Sequence, residues 1–201
     1  LAGAKFVWAV EHAGRQGPFL DLLLSRGGLS WFGGFAGGLA AGLALLHRRR
    51  IPILPVLAAA TPALAIAHAI GRVGCFLVGD DYGVPSDLPW AVAFPEGLPP
   101  TTIPVHPTQL YEMLALLPLA WMLLRWRRER RPDRFVLGWY LVVAGAVRFL
   151  IEFLRMRESL VGPFALAHVP ALVAVSAGAL LLVKNSTREM DRSPGSMALR
   201  R

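Results

Sequence analysis

The sequence predicts an all-α membrane protein: a polytopic bundle of transmembrane helices with an ordered extracytoplasmic loop region. Two observations lead there. Of 201 residues, 55% are hydrophobic and only 17% are charged, with a mean hydropathy of +0.50. A water-soluble domain of that size needs more polar surface to cover its core. The basic residues that give the net charge of +8 lie in short loops between apolar stretches. They form no stripe with interleaved aromatics, so the charge excess speaks for a membrane and against nucleic acid.

The apolar stretches run at roughly 1–11, 29–46, 51–70, 109–124, 135–154 and 164–183. Six such stretches fit a chain that spends about 20 residues on each crossing. The first is open-ended, because Leu1 already lies inside it, and an upstream segment is expected. The second holds Gly33, Gly34, Gly37, Gly38 and Gly42, small residues at a spacing that lets helices approach closely in lipid. The third carries Pro52, Pro55 and Pro62, tolerable in a bilayer where neighbouring groups re-satisfy the backbone. Residues 1–184 are expected to form the membrane domain and 185–201 a basic cytoplasmic tail.

Orientation follows from the positive charges. His47–Arg50, the run from Arg125 to Arg134, and a tail with Lys184, Arg188, Arg192, Arg200 and Arg201 hold most of the 21 basic residues, while 71–108 has only Arg72. Alternation of single crossings places those three regions in the cytoplasm, with 71–108 and 155–163 outside. In the long outer loop, Asp80–Pro85 and Pro99-Pro100 mark turns. Trp90, Phe94 and Ile103 offer apolar anchors at headgroup level.

Ionisable groups at bilayer depth cost about 2.5–3.5 kcal/mol each on insertion scales and point to function. Arg148, Glu152 and Arg155 stand at i, i+4 and i+7, on one helical face. The spacing fits an ion pair that orients a helix. It fits equally a guanidinium held by a carboxylate and aimed at a phosphate, which Arg grips bidentately. At 71–83, four glycines surround Arg72 where a helix is expected to end, with His68 one turn earlier on the same face. At 106–112, Pro107 and Thr108 suit the first turn and cap of a helix. They leave the crowding of His106, Gln109, Tyr111 and Glu112 unexplained. One cysteine, Cys75, excludes an intrachain disulfide and a multi-cysteine zinc site. The five histidines are too scattered to suggest a metal; no cofactor is implied.

Together G-R-V-G-C-F-L-V-G-D-D-Y-G at 71–83, H-P-T-Q-L-Y-E at 106–112, R-F-L-I-E-F-L-R at 148–155 and G-G-L-S-W-F-G-G at 27–34 resemble the bacterial prolipoprotein diacylglyceryl transferases. The resemblance covers most of 1–184. It implies an all-helical enzyme of the bacterial inner membrane, surrounded by membrane lipids. That enzyme moves a diacylglyceryl group from phosphatidylglycerol to the lipobox cysteine thiol of a preprolipoprotein, releasing glycerol phosphate. By the same resemblance Arg72 and Arg148 match the family's two essential arginines. Gly83 matches the glycine closing its block. Glu152 and Arg155 accompany Arg148, while His106, Gln109, Tyr111 and Glu112 match the H-P-S/T-Q-L-Y-E block; all these residues are expected around the lipid.

The chain also departs from the family pattern. Phe32 stands where a histidine is common, Cys75 where an asparagine is often found, and Ala144 where a tyrosine often precedes the second arginine. The family's first helix has no counterpart here. With Phe32 unable to accept a proton, His106 and Glu112 are the candidate bases, His106 being assigned to catalysis with the two arginines. Two other readings stand beside this one. A non-catalytic homologue would bind phospholipid without transfer. A small lipid transporter would require matching broken halves, and the Arg148 stretch has no twin in the first half.

Overall fold

The computed structural model describes residues 1–14, 17–25, 28, 30–155 and 168–192, without the side chains at 11, 31, 32, 35 and 188–192. The expected outer connection at 155–163, apart from Arg155, and the end of the basic tail lie outside these residues, as does the Phe32 side chain. The described chain is mostly helix, 71%, with one small sheet. Its elements are α1 (Ala2–His12), α2 (Phe19–Leu24), α3 (Trp31–Arg48), α4 (Ile53–Val78), β1 (Val92–Phe94), β2 (Thr101–Val105), α5 (Thr108–Arg128), α6 (Asp133–Glu152) and α7 (His168–Arg192). Helices at Ile53–Val78, Asp133–Glu152 and His168–Thr187 are long and apolar enough to cross a membrane. The all-α membrane class is as the sequence predicts.

The chain divides into two units, Leu1–Ile53 and Leu54–Arg201. In the first, α1 packs on α3 through glycine. A Cβ on Gly3 would stand 2.5 Å from the Gly33 carbonyl oxygen and 3.1 Å from Gly37 Cα. The glycine spacing of the second stretch thus does what its pattern suggests at Gly33 and Gly37, whereas Gly38 and Gly42 face open space.

In the second unit α4, α5 and α6 share one core. Ala58, Ala65 and Ala69 of α4 lie with Leu116, Leu119, Ala120 and Leu123 of α5 and Val136 and Leu137 of α6. On α4 and α5 these positions recur at helical spacing, which gives each helix one buried stripe, and on α6 the partly buried Tyr140, Leu141 and Ala144 continue the side begun by Val136 and Leu137. Pro62 is buried inside α4 and cannot donate to the carbonyl four residues back. Thr61 supplies the donor, its hydroxyl giving a 2.9 Å bond to the Ala58 carbonyl. Helix α4 also runs further than the sequence suggested, carrying Arg72 within it rather than at its exit. Gly71 and Gly74 are helical, because in an apolar setting unpaired backbone groups cost more than the roughly 1 kcal/mol of helical glycine. The turn comes at Gly79, with φ +72, where the Gly79 and Asp80 N–H groups both donate to the Cys75 carbonyl at 2.9 and 3.1 Å. Only glycine takes that conformation without strain.

Residues 79–107 fold as a cap on the end of α4. Strands β1 and β2 pair antiparallel, Val92 opposite Val105 and Phe94 opposite Thr101, with a register shift between. Phe94 is 9% exposed. It stacks on Tyr82 at 5.5 Å and meets Phe76 of α4 edge-on at 5.5 Å. The expectation of a surface anchor is therefore corrected for Phe94, which fills the cap's own small core, while Trp90 and Ile103 are exposed.

Helices α6 and α7 meet through backbone. A Cβ on Gly178 would stand 2.6 Å from the Gly138 carbonyl oxygen, and one on Gly145 would stand 3.0 Å from that of Ala171. Without a hydrophobic drive between helices in lipid, such close approach supplies the packing. Gly178→Leu is expected to lower the thermal midpoint in detergent by the equivalent of about 1–3 kcal/mol of overpacking. Gly42→Ala, with nothing to meet, should leave the midpoint unchanged or raise it slightly.

Candidate functional site

Glu112, one turn into α5, has a side chain only 2% exposed and faces arginines from two other helices. Arg72 Nε of α4 pairs with its Oε2. Arg148 Nη1 of α6 lies 3.5 Å from its Oε1, and Arg148 Nη2 lies 2.6 Å from Glu152. On the other side Arg72 Nη1 is 3.1 Å from Asp81 Oδ2, and Asp81 Oδ1 pairs with Arg155. The order is an unbroken alternation: Glu152, Arg148, Glu112, Arg72, Asp81, Arg155. A buried carboxylate without such partners would cost several kcal/mol. His68, on the same face of α4 as Arg72, is within electrostatic reach of Glu112, Arg72 and Arg148.

The sequence motifs find one another through backbone bonds. Thr108 was expected to cap α5; instead its hydroxyl donates to the Asp81 carbonyl at 2.9 Å. Gln109, 1% exposed, donates through Nε2 to the Asp80 carbonyl at 2.5 Å. The start of α5 thus holds the turn that presents Asp81. Gly83 joins three segments: its N–H donates to the His106 carbonyl at 2.9 Å, and the next N–H, of Val84, donates to Leu154 at 2.8 Å. A Cβ there would stand 2.5 Å from the Leu154 carbonyl oxygen, so close approach alone demands glycine. Arg155 lies beyond the end of α6, its backbone bridged to Gly83. The expectation that it shares a helical face with Arg148 and Glu152 is corrected: α6 ends at Glu152, and the turn carries Arg155 across to Asp81.

His106 and Tyr111 face elsewhere. With Trp90 they line an otherwise apolar groove of about 540 Å³, walled by Leu88, Pro107, Leu110, Leu114 and Leu154. The Trp90 indole N–H donates to the Tyr111 hydroxyl at 2.7 Å, and that oxygen lies 3.2 Å from His106 Nδ1. The sequence-predicted residues therefore fall in two places. Arg72, Arg148, Glu112, Glu152 and Arg155 join one ion network, His106 and Tyr111 share the groove, and Gly83 and Gln109 hold the segments between them.

Sequence reasoning missed Asp81 and Trp90. Asp81 had a signal, since three arginines within or at the ends of apolar stretches with only two nearby carboxylates need a third. Trp90 had none, being 21 residues from its partner. Cys75, a free thiol, is part-buried near Arg72, and Ala144 packs against the main core. Cys75 Sγ and carboxylate oxygens of Asp80 and Asp81 come within 4.8 Å of one another. One soft thiol and two hard carboxylates are a mismatched ligand set, and two arginines already engage Asp81.

Asp81 stands outside the spans. Burial pushes its carboxyl up, but Arg155 and Arg72 outweigh that and hold it below its ordinary value. Its folded pKa being lowered, the stabilisation it gives is present above the unfolded value of about 3.9 and lost as pH falls through the folded one. Asp81→Asn is expected to lower the thermal midpoint at neutral pH. The gap from wild type should close on acidification below about pH 4, read as midpoint against pH for both proteins.

The sequence profile described as prolipoprotein diacylglyceryl transferase matches residues 1–184. Among curated relatives, the phosphatidylglycerol–prolipoprotein diacylglyceryl transferase of Pseudomonas putida is 33% identical over 158 residues, 77% of this chain and 58% of that protein. The proteins of that name from Geobacter sulfurreducens and Methylobacillus flagellatus are each 34% identical, over 82% and 85% of this chain and 64% and 66% of their own lengths. The chain spans about 58% of the length of the first relatives it matches. With the family profile covering nearly all of the described residues, and its arginine-bearing blocks folded into one network, this chain belongs to the prolipoprotein diacylglyceryl transferase family.

Proposed function

We propose that the protein transfers a diacylglyceryl group from phosphatidylglycerol to the lipobox cysteine thiol of a preprolipoprotein. The observation that carries this reading is the meeting of Arg72 and Arg148, from different helices, on the single carboxylate of Glu112. Each guanidinium has five N–H donors. Among the described residues, the carboxylates engage Nε and Nη1 of Arg72 and Nη1 and Nη2 of Arg148. Donors remain on both for the phosphodiester of an anionic lipid.

The reaction is substitution at the glyceryl carbon bearing the phosphodiester. The thiolate attacks, the carbon–oxygen bond breaks, and glycerol phosphate leaves with the electron pair. Negative charge grows on the departing phosphate, where fixed cations lower the barrier most. Glu112 and Glu152 hold the two guanidinium groups in place, and Asp81 and Arg155 steady Arg72 from outside. Glu112, needed as a carboxylate by two arginines, is poorly suited to accept the thiol proton. Positive charge on 47–50, 125–134 and the tail supports a cytoplasmic placement of those segments in the inner membrane. The cap and the network would then stand toward the outer face, where a lipobox segment of an exported protein arrives.

A second reading is favoured by Phe32 and Cys75, where the family commonly has a histidine and an asparagine. The protein would bind phosphatidylglycerol without transfer. In membranes supplied with a lipobox peptide, wild type is expected to consume phosphatidylglycerol and modify the peptide. Arg72→Gln and Arg148→Gln should each reduce turnover by about 10²–10³. Undiminished turnover in both variants rejects the phosphate-binding role, and lipid binding without peptide modification by wild type selects the second reading.

A further inference from the structure

The groove beside the ion network contains a hydrogen-bonded chain that the phosphate-binding arginines do not use. An indole N–H can only donate, so at 2.7 Å Trp90 Nε1 gives its proton to the Tyr111 oxygen. The phenol must then place its own proton. The other groove walls, Leu88, Pro107, Leu110, Leu114 and Leu154, present no side-chain acceptor, and His106 Nδ1 stands 3.2 Å away. Of the two imidazole tautomers, the one with its proton on Nε2 turns a lone pair to Tyr111 and accepts that proton. His106 in this arrangement offers no lone pair directly to the groove. The group with a base behind it is the tyrosine.

We propose that Tyr111 takes the proton of the acceptor thiol, with His106 as the positioning residue that draws off the phenol's own proton and Trp90 as the one that fixes the orientation of its oxygen. This rests on the transferase reading. In one concerted movement the thiol proton passes to the Tyr111 oxygen while the Tyr111 proton passes to His106 Nδ1. The resulting thiolate attacks the glyceryl carbon, whose bond to the phosphate oxygen breaks with the electron pair leaving on glycerol phosphate. The imidazolium then returns its extra proton to water. Trp90 stabilises the negative charge that gathers on the phenol oxygen during the exchange. Of the two substrates only the thiol must lose a proton, which gives this chain one partner to serve. The titratable side chains lining the groove among the described residues are His106 and Tyr111 alone.

The test is the rate of diacylglyceryl transfer to a lipobox peptide as a function of pH, in membranes holding wild type, Tyr111→Phe, His106→Gln, Trp90→Phe or Arg72→Gln. Tyr111→Phe is expected to lose about 10²–10⁴ in rate at neutral pH, the usual worth of a positioned base. The deficit should shrink as pH rises past about 8.5, where a free thiol ionises unaided. His106→Gln should show the same alkaline recovery. Trp90→Phe, altering an exposed side chain, should shift the acidic limb of the profile with folding intact. Arg72→Gln should stay impaired at every pH. A Tyr111→Phe or Trp90→Phe profile that overlays wild type, or a Tyr111→Phe deficit constant with pH, overturns the proposal while leaving the transferase reading standing. Absence of transfer by wild type overturns both.

Discussion

The second unit is organised around one buried carboxylate that two helices need at once. Glu112 draws Arg72 from α4 and Arg148 from α6 onto α5, and each of the three charges alone would be costly within an apolar bundle. Once that contact exists, the rest follows from neutralising what it leaves over. Glu152, one turn beyond Arg148, takes the second face of that guanidinium. Asp81 takes the second face of Arg72 and must reach it from the cap, which is why the cap is stitched to α5 by Thr108 and Gln109. Arg155 closes the series. Equal numbers of positive and negative groups make a network whose charges balance internally, and on the proposed reading a phosphate would take up its unused donors.

Much of this was legible in the sequence, and the reasons differ by element. Membrane helices announce themselves through composition, so the class could be read from apolar stretches and from arginines gathered in loops. The Arg148–Glu152 pair is local, a matter of i and i+4 on one helix, and emerged as expected. Arg155 shares that register in the sequence yet left the face, because a helix end is decided by backbone pairing with Gly83, a residue 72 positions away. Nothing in a spacing argument contains that contact. Gly71 and Gly74 misled for a related reason: glycine marks turns in water, but in lipid an unbroken hydrogen-bond ladder matters more.

The site was half legible. Motif residues were recognisable as charges out of place, while their partition between an ion network and a separate groove was not. His106 and Glu112 lie six residues apart and look like one cluster on paper. A helix turns its side chains about 100° per residue, so Tyr111 and Glu112, though adjacent, serve different neighbours. Trp90 became part of the arrangement only when the antiparallel hairpin brought 88–90 alongside α5. On the proposed reading, that division separates the handling of charge from the handling of protons, two tasks that would interfere in one place: a base set among guanidinium groups would lose its appetite for a proton.

The glycine seam between α6 and α7 carries a consequence for how natural variation in this protein should be interpreted. Gly145 sits one turn before Arg148 on the helix that delivers it, where an added Cβ would stand 3.0 Å from the Ala171 carbonyl oxygen. The arginine is thus mounted on a rail whose position a neighbouring backbone dictates. A bulkier residue anywhere along that seam would tilt the rail and misaim the guanidinium without touching it. Lesions remote from the ion network would then masquerade as losses of chemistry, and a map of sensitive positions would trace α7 as faithfully as the site itself.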